Sequence, residues 1–120
     1  MYNTVTVSVL HVPAAPASVT APTLATVNVA FGVQWSAVSG ATSYQLQQTE
    51  SGGRNAVTTP YSGSATSKVI TLGGLVDDDF QYAARACNSA GCSGWTNAPH
   101  STYLQRKGTQ NAVPASGSTL

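Results

Sequence analysis

Charge is scarce in this sequence. Its 120 residues include 5 Lys and Arg and 4 Asp and Glu, 8% in all, where a typical domain carries about 25%. The net charge is +1, and Arg54, Lys68, Arg85, Arg106 and Lys107 are scattered, only the last two being adjacent. That excludes the clustered basic footprint needed for nucleic acid or an anionic membrane surface. Apolar runs are short as well, well under the roughly 20 residues that cross a bilayer. No basic segment followed by an apolar core opens the chain, so no secretory signal peptide is read. The expectation is a chain not secreted by itself, or one cut from a longer protein.

Groups that do chemistry are equally few. The acids are Glu50 and the run Asp77, Asp78, Asp79, and the histidines His11 and His100 lie in the two terminal regions. No serine sits in a GxSxG elbow, and no glycine-rich loop opens a helix to cradle a phosphate. The three aspartates invite a calcium reading, but calcium takes 6–8 oxygens from a shaped loop. Successive carboxylates cannot all point inward, and no nearby Glu or Asn completes a shell. The run reads as a solvated acidic turn. No catalytic residue, no metal site and no cofactor is expected.

What the sequence does have is alternation. A strand has a side-chain period of two. In Phe80 to Cys87, Phe80, Tyr82, Ala84 and Ala86 share one parity and read as core-facing; Gln81, Ala83, Arg85 and Cys87 take the other and read as facing water. Asn88-Ser89-Ala90-Gly91 then reads as a tight turn, because Asn and Gly tolerate the backbone angles that turns need. A return strand starts at Cys92, is interrupted at Pro99 and extends through Thr102 to Gln105.

Upstream, Val27 to Ser36 reads as one strand, with Val29, Phe31, Val33 and Trp35 alternating. Ser43 to Thr49 is the next, with Tyr44 and Leu46 inward and Gln45 and Gln47 outward. Residues 54–67 read as a ragged edge strand and loop broken by Pro60. Lys68 to Leu75 brings Ile70, Leu72 and Leu75 to the core. Strands recurring at about 8–12 residues, with no helical period sustained over three turns, predict an all-β sandwich or barrel.

Residues 1–12 alternate too, through Val5, Val7 and Val9, but Pro13 and Pro16 set them apart. They are an extra edge strand of the same domain, a remnant of a preceding repeat, or an arm that adds to another chain's sheet edge. The chain thus divides into an N-terminal strand or arm (1–12), a domain (13–104) and a tail (105–120) with too few apolar residues to build structure alone.

Trp35, Tyr44, Leu75, Phe80, Tyr82, Arg85, Ala86, Asn88, Gly91 and Ser93 form an ordered set. With them the chain, from about Pro13 to Thr102, resembles a fibronectin type III domain. The family has a Trp in its second strand, a Tyr opening the core face of the third, a Leu before the sixth, and a sixth strand running aromatic, Arg, Ala, Asn and then Gly and Ser. The paired cysteines look like bacterial and phage versions rather than animal ones. The resemblance implies an antiparallel seven-stranded immunoglobulin-like β-sandwich used for spacing and binding, not catalysis. Two departures stand out. Phe80 occupies the family's corner-tyrosine position without a hydroxyl, so the corner is held by packing or Tyr82 takes over. The Arg-Gly-Asp tripeptide is absent from the whole chain, so integrin binding gets no support.

Cys87 and Cys92 flank the turn and can sit opposite each other. A disulfide is geometrically open; so are two free thiols in a reducing cytoplasm. Tyr61, Trp95 and Tyr103 read either as a platform for a surface glycan or a protein, or as edge packing. The expected function is a non-catalytic structural or interaction module bound to other protein subunits of a larger assembly, on a virion surface as a phage decoration or tail-associated protein. The alternative is an extracellular accessory module of a secreted modular bacterial protein, such as a polysaccharide hydrolase or a repeat-containing toxin. No nucleic-acid or membrane partner is expected.

Overall fold

A computed structural model describes residues 11–51, 56–73 and 78–105. Val5, Val7 and Val9, Leu75, Asp77 and the tail after Gln105 lie outside the described residues. Among those described, the elements are all strands: β1 (Val19–Thr20), β2 (Leu24–Thr26), β3 (Phe31–Trp35), β4 (Ser43–Glu50), β5 (Val57–Gly63), β6 (Ser67–Ile70), β7 (Asp78–Asn88), β8 (Gly91–Cys92), β9 (Thr96–Asn97) and β10 (Thr102–Gln105). They form two sheets, a small one in the order β1-β3-β6 and a large one in the order β2-β10-β7-β4-β5, with β8 and β9 also on β7.

The short strands resolve into seven paths. The first path is split: β1 pairs antiparallel with β3 in the small sheet, then β2 crosses to pair parallel with β10 in the large one. The last path is split differently, since β8, β9 and β10 all run antiparallel beside β7. Between β8 and β9, Ser93, Gly94 and Trp95 stand opposite only Arg85 and Ala86; between β9 and β10, Ala98 to Ser101 stand opposite only Gln81 and Tyr82. Extra residues opposing fewer partners are bulges, which bend the strand and end regular pairing. Ser93 patches the first one, its N–H donating to Ala86 O (2.7 Å) and its Oγ accepting from Ala86 N (3.0 Å).

The core lies between the sheets. Val33, Trp35, Tyr44, Leu46, Ile70, Phe80 and Tyr82 are buried there, with Val19, Ala21, Ala25, Ala84, Ala86, Ala98 and Leu104. Phe31 and Leu72 are only half-buried and pack against its rim. Trp35 projects from the small sheet onto two rings of the large one, Tyr44 (centroids 6.3 Å apart) and Tyr61 (5.8 Å). Both hydroxyls accept a loop amide, Tyr44 from Val38 N (2.9 Å) and Tyr61 from Ala65 N (2.8 Å), so the core aromatics also tie down the β3–β4 and β5–β6 connections.

Three expectations need correction. The strand expected over Val27 to Ser36 begins only at Phe31. Asn28 takes a left-handed φ of 64°, and Val29 N closes a turn onto Thr26 O (3.1 Å), which leaves Val29 half-exposed. Asn tolerates that conformation where a β-branched residue does not. Second, Ala83 and Cys87 are buried although their parity is that of the outer face. On that side of β7 Arg85 lies between them, with Trp95 of the bulged return path packed against its guanidinium. Third, of the two readings open for Tyr61, the platform gives way to edge packing: it lies on edge strand β5 and points inward against Trp35. The β4–β5 register shifts between Leu46 and Gln48, at Pro60, and the shift flips the parity so that Thr58 and Tyr61 both fall opposite inward positions of β4. Pro is tolerated there because an edge strand does not need that N–H.

Candidate interaction site at the disulfide-closed turn

Two long-range polar contacts meet at the Asn88–Gly91 turn, both made by Asn88. Cys87 and Cys92 are opposite each other in the β7–β8 ladder, joined by a disulfide, with Cα atoms 4.0 Å apart. Cys87 is buried and Cys92 half-exposed. Gly91 has φ of 141°, open only to glycine at ordinary cost, and a Cβ there would lie 3.0 Å from Val12 Cγ1.

Asn88 uses both ends of its amide. Its Oδ1 accepts Ala90 N (2.8 Å), shaping the turn; its Nδ2 donates to His11 O (2.8 Å) and, more weakly, to Gly40 O (3.4 Å). One side chain thereby joins the β7–β8 turn, the β3–β4 connection and the segment before β1. That segment is not the free linker its prolines suggest. Pro13, Pro16 and Val19 are buried while the residues between them are exposed, a spacing of three. Three residues per turn is the repeat of a polyproline II helix, so one ridge of an extended helix can lie along the domain. Thr96 Oγ1 donates to Pro16 O (2.7 Å) and fixes its middle.

Beside this turn, on the outer face of the large sheet, Arg85 Cζ sits 4.5 Å above the Trp95 ring, and its Nε donates to Gln45 Oε1 (2.8 Å) directly across the ladder. One face of Trp95 is thus already occupied by an internal cation. Tyr103 lies farther along the same return path, beside Leu24 and opposite Asp79 at the other end of β7, 37% exposed against 52% for Leu24. Tyr61, Trp95 and Tyr103 are therefore not brought together.

The corner at Phe80 is held by packing. Tyr82 does not replace the missing hydroxyl, because its own donates to Gln48 Oε1 (2.9 Å). Burial pushes the Tyr82 phenol above its usual range. Among the described residues no group of three or more His, Cys, Asp or Glu is placed to hold a metal ion, and no pocket opens. The free strand edges are modest: β1 and β2 are very short, β6 carries Lys68, and β5 contains Pro60. Short length, charge and proline are the usual ways an edge is kept from pairing with other chains.

No protein-family model matches the sequence, and no curated protein matches it. Solved structures do. The fn3 domain of human collagen alpha-1(XX) chain superposes with a TM-score of 0.60 at 14% identity, covering 92% of this chain and 97% of that one. The Fn3-like protein from Clostridium thermocellum gives 0.51 at 21% identity, covering 84% and 100%. This chain has a fibronectin type III-like fold. A superoxide reductase (neelaredoxin) variant from Ignicoccus hospitalis also superposes, with a TM-score of 0.55 at 12% identity, covering 78% and 82%. The fibronectin type III-like sandwich is therefore shared with at least one enzyme, and the fold alone does not fix the function.

What sequence reading missed here is the clasp. Asn88 was visible as a turn residue, but its partners His11 and Gly40 are distant in sequence and offer only backbone oxygens, which leave no mark on the residue pattern.

Proposed function

We propose that this fibronectin type III-like domain is a non-catalytic spacer and interaction module on a larger assembly, with a phage virion decoration or tail-associated subunit as its specific form. One observation carries the reading. His11, the first described residue, is bound at Asn88, and Gln105, the last, follows Leu104, which is opposite Asp78. Asn88 and Asp78 are the two ends of β7, an 11-residue strand, so these two points are about 33 Å apart at opposite poles. A domain whose described ends are so placed suits a spacer. The scarcity of charge suits a module whose neighbours are proteins rather than polyanions.

The test is co-sedimentation. Antibody to this chain is used to follow it through a density gradient of a phage stock and of a lysate from its source. The virion reading expects the signal in the particle band, and a signal confined to free protein contradicts it. The disulfide favours a second reading, an extracellular module of a secreted bacterial protein, because such bonds persist in oxidising compartments. That reading expects the antibody to detect a longer polypeptide in the culture medium.

A further inference from the structure

We propose that the Cys87–Cys92 disulfide is a redox-controlled clasp for the segment before β1: oxidised, it holds the 88–91 turn in the shape that binds His11 and Val12; reduced, it lets that segment go. The inference stands apart from the choice of assembly.

The geometry makes the turn depend on the bond. β8 is two residues long, and its only register partners are Cys87 with Cys92 and Asn88 with Gly91. The next three residues bulge away from regular pairing. The disulfide is thus the covalent member of a two-rung ladder, next to the residue that does the clasping. Asn88 reaches His11 O and Gly40 O while its Oδ1 accepts Ala90 N, and Val12 packs so close to Gly91 that a Cβ there would lie 3.0 Å from its Cγ1. Both contacts require the turn to be held. The anchor at Pro16 is separate, since it uses Thr96 and lies beyond the first bulge. Release at Asn88 therefore pivots the chain about the Pro13–Pro16 stretch without lifting β1 from Trp35 and Gln34.

The reaction needs a dithiol reductant. Its thiolate attacks Cys92 Sγ, the half-exposed sulfur; the Cys87–Cys92 bond breaks, and Cys87 leaves as a thiolate that takes up a proton. The reductant's second thiolate then attacks the mixed disulfide and frees Cys92. Two electrons pass to the cystine, and the reductant ends as its own disulfide.

The experiment is backbone relaxation by NMR on the full chain, oxidised and then reduced with dithiothreitol, alongside Asn88→Ala. In the oxidised protein the order parameter at Val12 should be near 0.85, that of ordered backbone, and on reduction it should fall below about 0.6. Leu46 and Ala84 should stay rigid in both states. Oxidised Asn88→Ala should already show the low value at Val12, and dithiothreitol should not lower it further. The proposal is overturned if Val12 is equally ordered in both redox states, is mobile when oxidised, or stays ordered in Asn88→Ala. Loss of order at Leu46 and Ala84 on reduction would also overturn it, because the bond would then support the whole fold.

Discussion

Tyr82 and Gln48 stand directly opposite each other on β7 and β4, and the buried phenol donates to Gln48 Oε1 at 2.9 Å. The pair lets the large sheet bring a hydroxyl into its core without leaving it unsatisfied. Tyr82→Phe takes this bond from the half-buried Gln48, and a hydrogen bond of this kind contributes about 1 kcal/mol. For a domain of this size each kcal/mol moves the melting midpoint by about 4–8 °C. The variant should therefore melt at least about 4 °C below wild type in a thermal scan; an unchanged midpoint would show that the bond contributes nothing.

The same phenol sets a pH limit. Its pKa is raised in the folded state by burial, above the ordinary value near 10. A raised pKa means that the folded state holds the proton more tightly. The stabilisation is complete below pH 10 and is lost as pH rises beyond it. Denaturant midpoints measured between pH 9 and pH 11 should fall for wild type, and fall less steeply for Tyr82→Phe. Parallel slopes would contradict this.

Trp35 is the link between the sheets, packed against the tilted rings of Tyr44 and Tyr61. Truncating a buried aromatic costs about 3–5 kcal/mol, out of a total of roughly 5–15 kcal/mol. Trp35→Ala should be marginally folded or unfolded by circular dichroism at 25 °C. A midpoint within about 2 °C of wild type would reject this placement, given the usual scale of such shifts.

The disulfide closes a short loop, so the chain-entropy model assigns it about 2 kcal/mol, less than half the figure for a 100-residue loop. Reduction should lower the midpoint by on the order of 10 °C and leave the sandwich folded at 25 °C. Global unfolding on reduction would contradict the account.

How much of this was legible in the sequence depended on whether a period of two survived. It survives in β3, β4 and β7, and there Val33, Trp35, Tyr44, Leu46, Phe80 and Tyr82 announced themselves. It is missing from the irregular stretch around Pro60, where the β4–β5 register shifts, so Tyr61 stayed open between a surface platform and edge packing. Alternation also assumes that one face of a strand meets water. Ala83 and Cys87 broke that assumption: they flank Arg85, against which Trp95 of the return path packs. The proline-rich segment departs from its reading as a linker, since it meets the domain at Asn88, Gly91 and Thr96. That segment carries a period of three, visible in Pro13, Pro16 and Val19 once their burial is known. The Asn88 clasp was not legible, since its acceptors are carbonyls of His11 and Gly40 that any residue would supply.

The spacer reading rests on the first and last described residues, His11 and Gln105, lying at opposite poles of the sandwich. The most direct measurement is pulsed electron spin resonance between spin labels carried on non-natural residues at positions 12 and 105, leaving the native disulfide intact. Separation along the length of β7 predicts a distance distribution centred near 33 Å. A single population below about 20 Å, too short for the length of β7 at the usual rise per residue, would place both labelled positions at one pole and contradict the spacer reading.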